Sequence, residues 1–392
     1  MSAWTIVERS TTWLRDFEPA WLPESASAYL RVFTRANGDV GVEVGPWVGA
    51  VALENGSVLR VRSKFGEADF LRMLAKSTGV SLKFGGDVAY GDSGADAPMA
   101  VIARSFVESL RDIEGQGRLF NWRTTPYVGA SRPRGVNWPR TARRVALKSS
   151  EPFVGDMLER SVDSPEERVL RLAATRLIAE ARDLELDPGV LDRWRSTELG
   201  DPRSDLRAIS ERLATPGYYS ARGYYESALR LATMLLGLGG LTEETEADIS
   251  GRAFLVDSDN LFEAYIRATL FESMRDDGYV VEKARPGELH LFDNRRSSME
   301  PDILVSRGSA LVALGDIKHK EPDQSDYYQL YAYMRLYGLE KSFVFYAAAD
   351  PGRSETTSKT RDGLALTFVP LPIADLDELE LRVSTFASKI KQ

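Results

Sequence analysis

The stretch MEPDILVSRGSALVALGDIKHK, residues 299–320, decides how the C-terminal part of this chain is read. Within it, ALVALGDI (310–317) is almost continuously apolar, as expected of a strand buried on both faces. Charge enters at its end. Asp316 and Lys318 stand two residues apart, and the two-residue period of a strand puts both side chains on one face. The preceding run, PDILV (301–305), opens on Asp302, and a hairpin through 306–309 lays the two runs side by side. Two carboxylates and one ammonium then converge. A lone D-x-K at a strand end is usually a surface ion pair, so the second acidic strand end is what makes the constellation specific. Carboxylate oxygens suit Mg²⁺, which takes one or two protein carboxylates plus phosphate. A neighbouring lysine can orient an attacking water and offset charge on the phosphate.

Outward from this stretch, LFEAYIRATLFESMRDDG (261–278) has the marks of a helix opened by Asp257 and Ser258 and closed near Gly278. Strand-like runs follow at 279–283, 288–292, 301–305 and 310–317. A second helix is predicted over 324–337, and SFVFYAA (342–348) resumes as a buried strand. Further upstream, residues 96–250 read mainly as helix, with apolar residues at three-to-four spacing in 100–113, 167–184 and 224–238. The first 95 residues alternate β-like runs (29–45 and 48–64) with turns at Asn37-Gly38 and Asn55-Gly56, which predicts hairpins. A short helix is expected at 69–77. The expected organisation is therefore an α/β (α+β) multidomain chain. It comprises a β-rich N-terminal domain (1–95), a mostly helical middle region (96–250) with a basic loop, or short strand, at 121–150, and a third domain (251–392).

Composition narrows the chemistry. The hydrophobic share of 43% and charged share of 28% belong to a folded protein. Cysteine is absent and His290 and His319 are the only histidines, so thiolate chemistry and Cys/His zinc sites are excluded and a metal here should be a hard cation held by oxygen. The first twenty residues lack the apolar region of a signal peptide, and the apolar stretch at 229–241 is shorter than the roughly 20 residues a membrane span needs. A cytoplasmic protein is expected. Formal charge is −8, yet residues 121–150 carry seven Arg/Lys and no Asp or Glu, which leaves the remainder at −15. The arginines of this stretch are interleaved with Trp122 and Trp138, a mixture that offers phosphate contacts and stacking planes to nucleic acid. Arg132, Arg134, Arg140, Arg143 and Arg144 are the candidate DNA contacts. A structural arginine-rich loop paired with acids elsewhere is the plainer alternative.

The Pro301-Asp302 pair, the D-x-K of Asp316, Ile317 and Lys318, and the helix DYYQLYAYMRLYG (326–338) with Gln329 and Tyr333 in a Q-x-x-x-Y arrangement together resemble the PD-(D/E)xK nucleases, in particular the McrC family of modification-dependent restriction subunits. The resemblance implies a PD-(D/E)xK restriction-endonuclease-like core over 251–392, with Asp302, Asp316 and the carbonyl of Ile317 binding Mg²⁺ (or Mn²⁺ in its place) and Lys318 serving the nucleophilic water. It also implies that Glu263 in LFEAYI is the acidic residue that the helix before the core lays beside the metal, and that Gln329 and Tyr333 face the active site or the DNA backbone. Less closely, SRPRGVNWPRTARR and SKFGEADFLRML are similar to the middle and N-terminal parts of such proteins. In that family the N-terminal part docks on a ring-forming AAA+-type, McrB-like NTPase.

Other motifs carry little. Gly91-Asp92-Ser93-Gly94 spells a serine-protease motif without an upstream histidine. No G-x-x-x-x-G-K-[ST] is present, and Gly237-Leu238-Gly239-Gly240 lacks the strand-to-helix context of a dinucleotide site. The chain is thus expected to be a DNA endonuclease subunit of a restriction or phage-defence system, controlled by a separate NTPase. The alternatives are a non-cleaving DNA-binding subunit that stimulates such a partner, and a stand-alone RecB-like repair exonuclease.

Overall fold

The structure is a computed structural model that describes residues 3–78, 97–180, 186–195, 201–215, 217–237, 253–284, 287, 289–294, 298–348, 350 and 352–391. The motifs at 91–94 and 238–240 lie outside these residues. The N-terminal alternation becomes β1 (Ala3–Val7), β2 (Thr11–Leu14), β3 (Leu30–Thr34), β4 (Val40–Val44), β5 (Trp47–Ala52) and β6 (Val58–Arg62), followed by α1 (Glu67–Thr78). Both Asn-Gly pairs turn hairpins. Gly38 (φ 88°) between β3 and β4 and Gly56 (φ 80°) between β5 and β6 take a left-handed backbone that only glycine adopts without strain. Alternate residues such as Val40, Val42, Val44, Leu59 and Val61 face a common core with Ile6, Leu14 and Leu30.

The next segment contains α2 (Ala97–Gln116), β7 (Asn121–Gly129), β8 (Gly135–Val136), α3 (Trp138–Ala146), β9 (Phe153–Ser161), α4 (Pro165–Glu180), α5 (Pro188–Trp194), α6 (Pro202–Ala214) and α7 (Gly223–Gly237). Residues 100–249 form a compact unit of their own. Its helices bury Leu170, Ala173, Trp194, Leu229 and Ala232 completely. Their charged residues are tied down, Arg168 to Asp205 at 2.7 Å and Arg193 to Glu114 at 2.7 Å. The basic stretch at 121–150, expected as loop or short strand, holds a nine-residue strand and a helix. β7 pairs along its whole length with β9, and α3 is started by Asn137, whose side chain accepts from the Arg140 amide. A strand of Thr, Tyr and Val and a capped nine-residue helix were hidden by the density of Arg, Pro and Gly.

The remaining elements are β10 (Ala253–Asp257), α8 (Ser258–Met274), β11 (Tyr279–Glu282), β12 (Ile303–Arg307), β13 (Ala310–Lys318), α9 (Gln324–Tyr337), β14 (Lys341–Ala348), β15 (Thr356–Lys359), β16 (Ala365–Pro372) and α10 (Leu376–Ile390). β10 does not stay with its sequence neighbours. It runs antiparallel to β5 and completes a four-stranded sheet of order β1-β6-β5-β10. Residues 1–99 and 250–392 consequently make one compact unit, where the sequence divides them into two domains. Its largest sheet, β11-β12-β13-β14-β16-β15, is antiparallel at the β12–β13 hairpin and parallel through β13, β14 and β16. The run expected as a strand at 288–292 is not one. Glu288 lies outside the described residues, His290 makes a single bridge to Ser298, and Leu291 and Phe292 are exposed. No helix among the described residues is long and apolar enough to cross a membrane.

Candidate active site

The β12–β13 hairpin sets the geometry. Ile303 pairs with Gly315, so one step further along the ladder Asp302 comes opposite Asp316. The Ile317 amide donates to Asp302 Oδ2 at 3.1 Å, which fixes that carboxylate against β13. Gly315 allows the close approach, because a Cβ there would lie 2.4 Å from the buried Phe343 ring. Asp316 is only 2% exposed. Lys318 Nζ stands 2.7 Å from Asp316 Oδ2, at an angle that leaves this buried oxygen without a hydrogen bond.

Helix α9 delivers the second layer. Asp323 caps it and Asp326 closes a capping box by accepting from the Asp323 amide at 2.8 Å. Asp326 Oδ1 lies 3.3 Å from Lys318 Nζ. One turn on, Gln329 Oε1 accepts from the same ammonium at 3.2 Å, and Gln329 Nε2 lies 2.6 Å from the Tyr333 hydroxyl. Tyr333 is 3% exposed and packs in the core with Leu314, Leu330 and Val344. Of the two places expected for Tyr333, an exposed DNA-facing position is corrected: its ring packs in the core and its hydroxyl turns to Gln329, on the side of Lys318. Burial, with the nearby Asp316, pushes that hydroxyl up to about 12.

Glu263, on α8, is reached through a residue the sequence reading missed. Lys283 Nζ lies 2.7 Å from Glu263 Oε2 and 3.2 Å from Asp302 Oδ1. Arg267, one turn along α8, approaches Glu263 Oε2 at 3.6 Å and donates to the Asp302 carbonyl at 3.2 Å. The signal for Lys283 is its place at the end of the strand-like run YVVEK, residues 279–283. Its use depended on β11 pairing with β12, which spacing alone does not reveal. Asp326 is legible in the sequence as the last residue of a D-x-x-D cap, Asp323 to Asp326.

Electrostatics divide the two central carboxyls. Burial, reinforced by Asp302, pushes Asp316 up to about 8, and Lys318 offsets this only in part. Burial acts on Asp302 in the same sense but is outweighed by the hydrogen bond shared with Asp316, by Lys283 and by the Ile317 amide, so Asp302 stays below the ordinary carboxylate range. The pair is thus set to share one proton at neutral pH. Burial lowers Lys318, but Asp316 and Asp326 more than reverse it and the ammonium stays charged. Burial, followed by Asp302, raises Glu263, while Lys283 and Arg267 pull the other way.

The donor set fits a small hard cation. Two carboxylates converge, one with a buried oxygen whose contact with Lys318 is an ion pair without hydrogen-bond geometry, and the chain has no cysteine. Among the described residues no group of three or more His, Asp or Glu is placed to hold a metal. Glu263 is held by Lys283 and Arg267.

The five arginines named as candidate DNA contacts lie in the unit of residues 100–249. Arg132, Arg134, Arg140 and Arg143 are exposed. Arg144 is held by the Glu151 carbonyl at 2.8 Å and by Ser149. Among the described residues none of the seven basic side chains of 121–150 is ion-paired with an acid, which sets them apart from Arg168 and Arg193. Trp122 and Trp138 are 71% and 57% exposed, and the Arg132 guanidinium stands over the Trp138 ring.

Residues 42–347, well over half the chain, match the family model described as "McrBC 5-methylcytosine restriction system component". The chain belongs to the McrBC restriction-component family. Its fold is similar to that of a chain in the half-complex of Thermococcus gammatolerans McrB AAA+ hexamers with bound McrC, at TM-score 0.59 and 14% identity over 99% of this chain and 100% of the other. A chain of the T. gammatolerans McrBC complex matches at TM-score 0.44 and 16% identity, over 70% of this chain and 88% of the other. No curated protein matches. With McrBC membership established, the McrC-like resemblance drawn from Pro301-Asp302 and the D-x-K holds.

Proposed function

We propose that the unit built from residues 1–99 and 250–392 carries a PD-(D/E)xK nuclease core, and that the chain is the Mg²⁺-dependent endonuclease subunit of a restriction system acting in the cytoplasm. The observation that carries this reading is the convergence of Asp302, Asp316 and Lys318 at one hairpin, with Lys318 held by Asp316, Asp326 and Gln329. In this reading Asp302, Asp316 and the Ile317 carbonyl hold the divalent ion. When bound, the ion supplies Lewis-acid charge at the scissile phosphate.

The chain's own groups do the remainder. The Asp302–Asp316 pair gives up its shared proton as the site loads. Lys318, kept charged, orients water for attack and offsets charge as the new P–O bond forms and the bridging P–O bond breaks, and the proton that the water gives up is balanced by one taken up from solvent at the leaving oxygen. Gln329 holds Lys318 in place from the far side. The unpaired arginines Arg132, Arg134, Arg140, Arg143 and Arg144 would hold DNA by its phosphates.

Since the related T. gammatolerans McrC is bound to McrB AAA+ hexamers, we further propose a ring-forming McrB-like NTPase as the partner that controls cleavage. No P-loop sequence is present in this chain, so nucleotide hydrolysis falls to that partner.

The test is cleavage of plasmid DNA by the purified chain with Mg²⁺, with and without the partner. Asp316→Ala and Lys318→Ala should each lower the rate by at least about a thousandfold, in line with the loss of a metal ligand or a transition-state charge. Undiminished cleavage by both variants would remove the site. Wild-type chain that stimulates its partner but cuts no DNA with any divalent ion would instead favour a non-cleaving interaction subunit.

A further inference from the structure

The position of Lys283 bears on how many metal ions the centre takes. Its ammonium bridges Glu263 Oε2 at 2.7 Å and Asp302 Oδ1 at 3.2 Å, so it sits between two carboxylates contributed by a helix and a strand end. A bridging position of this kind, sharing one carboxylate with the Asp302–Asp316 pair, is where a second divalent ion of a two-metal phosphodiesterase would stand. Asp302 is divided between the two sides. Its Oδ1 faces Lys283, while its Oδ2 takes the Ile317 amide on the side of β13.

Charge points the same way. Four carboxylates (Glu263, Asp302, Asp316, Asp326) face three fixed cations (Arg267, Lys283, Lys318), which leaves one net negative charge when all are ionised. One divalent ion turns this into one net positive charge, matched by a single phosphodiester. A second divalent ion would leave a large uncompensated excess and would press against both Lys283 and Arg267 at Glu263. Lys283 also follows directly on β11, whose pairing with β12 continues up to Glu282 and Leu304, so its backbone is fixed by the sheet.

We infer that Lys283 is a tethered monovalent substitute for a second metal ion, and that the centre binds one divalent ion per chain, on the Asp302–Asp316 side. Glu263 is then the anchor of Lys283 and not itself a metal ligand. This rests on the reading of the site as a metal-dependent nuclease, and the experiment separates the two.

Mn²⁺ is titrated into the full chain without DNA, and bound ion is counted by calorimetry and by the loss of the free-Mn²⁺ electron-paramagnetic signal. Wild type should take up one ion per chain. Lys283→Met and Lys283→Gln should each take up two, Lys283→Arg one, and Glu263→Gln combined with Lys283→Met one again. Circular dichroism confirms that each variant is folded, and the two neutral replacements guard against one of them failing. Two ions on the wild type, or one on both neutral variants, would overturn the role of Lys283 and leave the nuclease reading standing. No ion on the folded wild type would overturn the nuclease reading itself.

Discussion

In the proposed nuclease the chemistry turns on Asp316, which is buried, faces another carboxyl and is pushed up to about 8 by that burial and by Asp302. A carboxyl that carries a proton cannot serve as a metal ligand, so cation and proton compete for the same oxygens. The sign follows directly. The folded-state value lies above the ordinary one, so the proton is held below pH about 8 and released above it, and cation binding becomes easier as pH rises. Affinity for Ca²⁺ or Mn²⁺ should rise by about tenfold per unit from about pH 6 to about pH 8 and then level off, with close to one proton released per ion. Calorimetry in buffers of different ionisation enthalpy measures both quantities, and an affinity independent of pH would contradict the shared-proton pair. By the same linkage the metal-free native state binds a proton that the unfolded chain lacks between about pH 4 and about pH 8, so this group's contribution to stability declines as pH rises through that window.

At the scale of elements, the hairpin works because β13 can press against β14. Gly315 pairs with Phe343, and any side chain at 315 would run into that ring, which is itself locked against Phe345 and Phe386. Gly315→Ala should destabilise the protein by about 1–3 kcal/mol, the usual cost of overpacking a filled core. Urea unfolding measures this, and an unchanged midpoint would mean that the strands have room to spare. The elements around this hairpin were legible where local chemistry and tertiary packing agree. α8 opens on an Asp257 cap and ends near the left-handed Gly278, while α9 carries its capping box and spans the predicted 324–337. α3 is not legible in the sequence because its single buried residue, Thr141, gives no apolar stripe, and its start depends on a cap at Asn137 amid prolines and arginines. β16 escaped for a related reason. Pro370 and Pro372 argue against a central strand, yet both fall in the last residues of the ladder with β14. Among site residues, Asp302, Asp316 and Lys318 were visible because two strand ends and a period of two suffice to gather them. The role of Lys283 is not visible there, because it arises from which strand comes to lie beside the hairpin, and the D-x-x-D spacing marks Asp326 as a cap but not as a partner of Lys318.

At the scale of the whole chain, acid and base are unevenly shared, and the imbalance predicts where DNA is held. A chain of net charge −8 is repelled by DNA at long range unless a local surface reverses the sign. Residues 121–150 supply such a surface in the unit of residues 100–249, with Arg132, Arg134, Arg140 and Arg143 exposed and, among the described residues, unpaired with acids. Each phosphate these arginines neutralise releases counterions, so binding should weaken steeply with salt, by a slope of about 0.9 in log affinity per log salt for each contact. Arg140→Ala with Arg143→Ala should therefore lower DNA affinity at low salt and reduce the slope by about 2 if both contact phosphate. Ca²⁺-loaded protein, bound to a short duplex over a range of KCl concentrations and followed by fluorescence anisotropy, measures both quantities without cleavage. Binding and slope that match wild type, together with lost stimulation of the NTPase partner, would transfer this surface from DNA to the partner. The two outcomes differ physically. A flexible phosphate lattice rewards charge with little regard to which arginine supplies it, so Lys in place of Arg should restore most DNA binding. A protein partner reading the fixed guanidinium fork and the exposed Trp138 beside it would not accept that exchange.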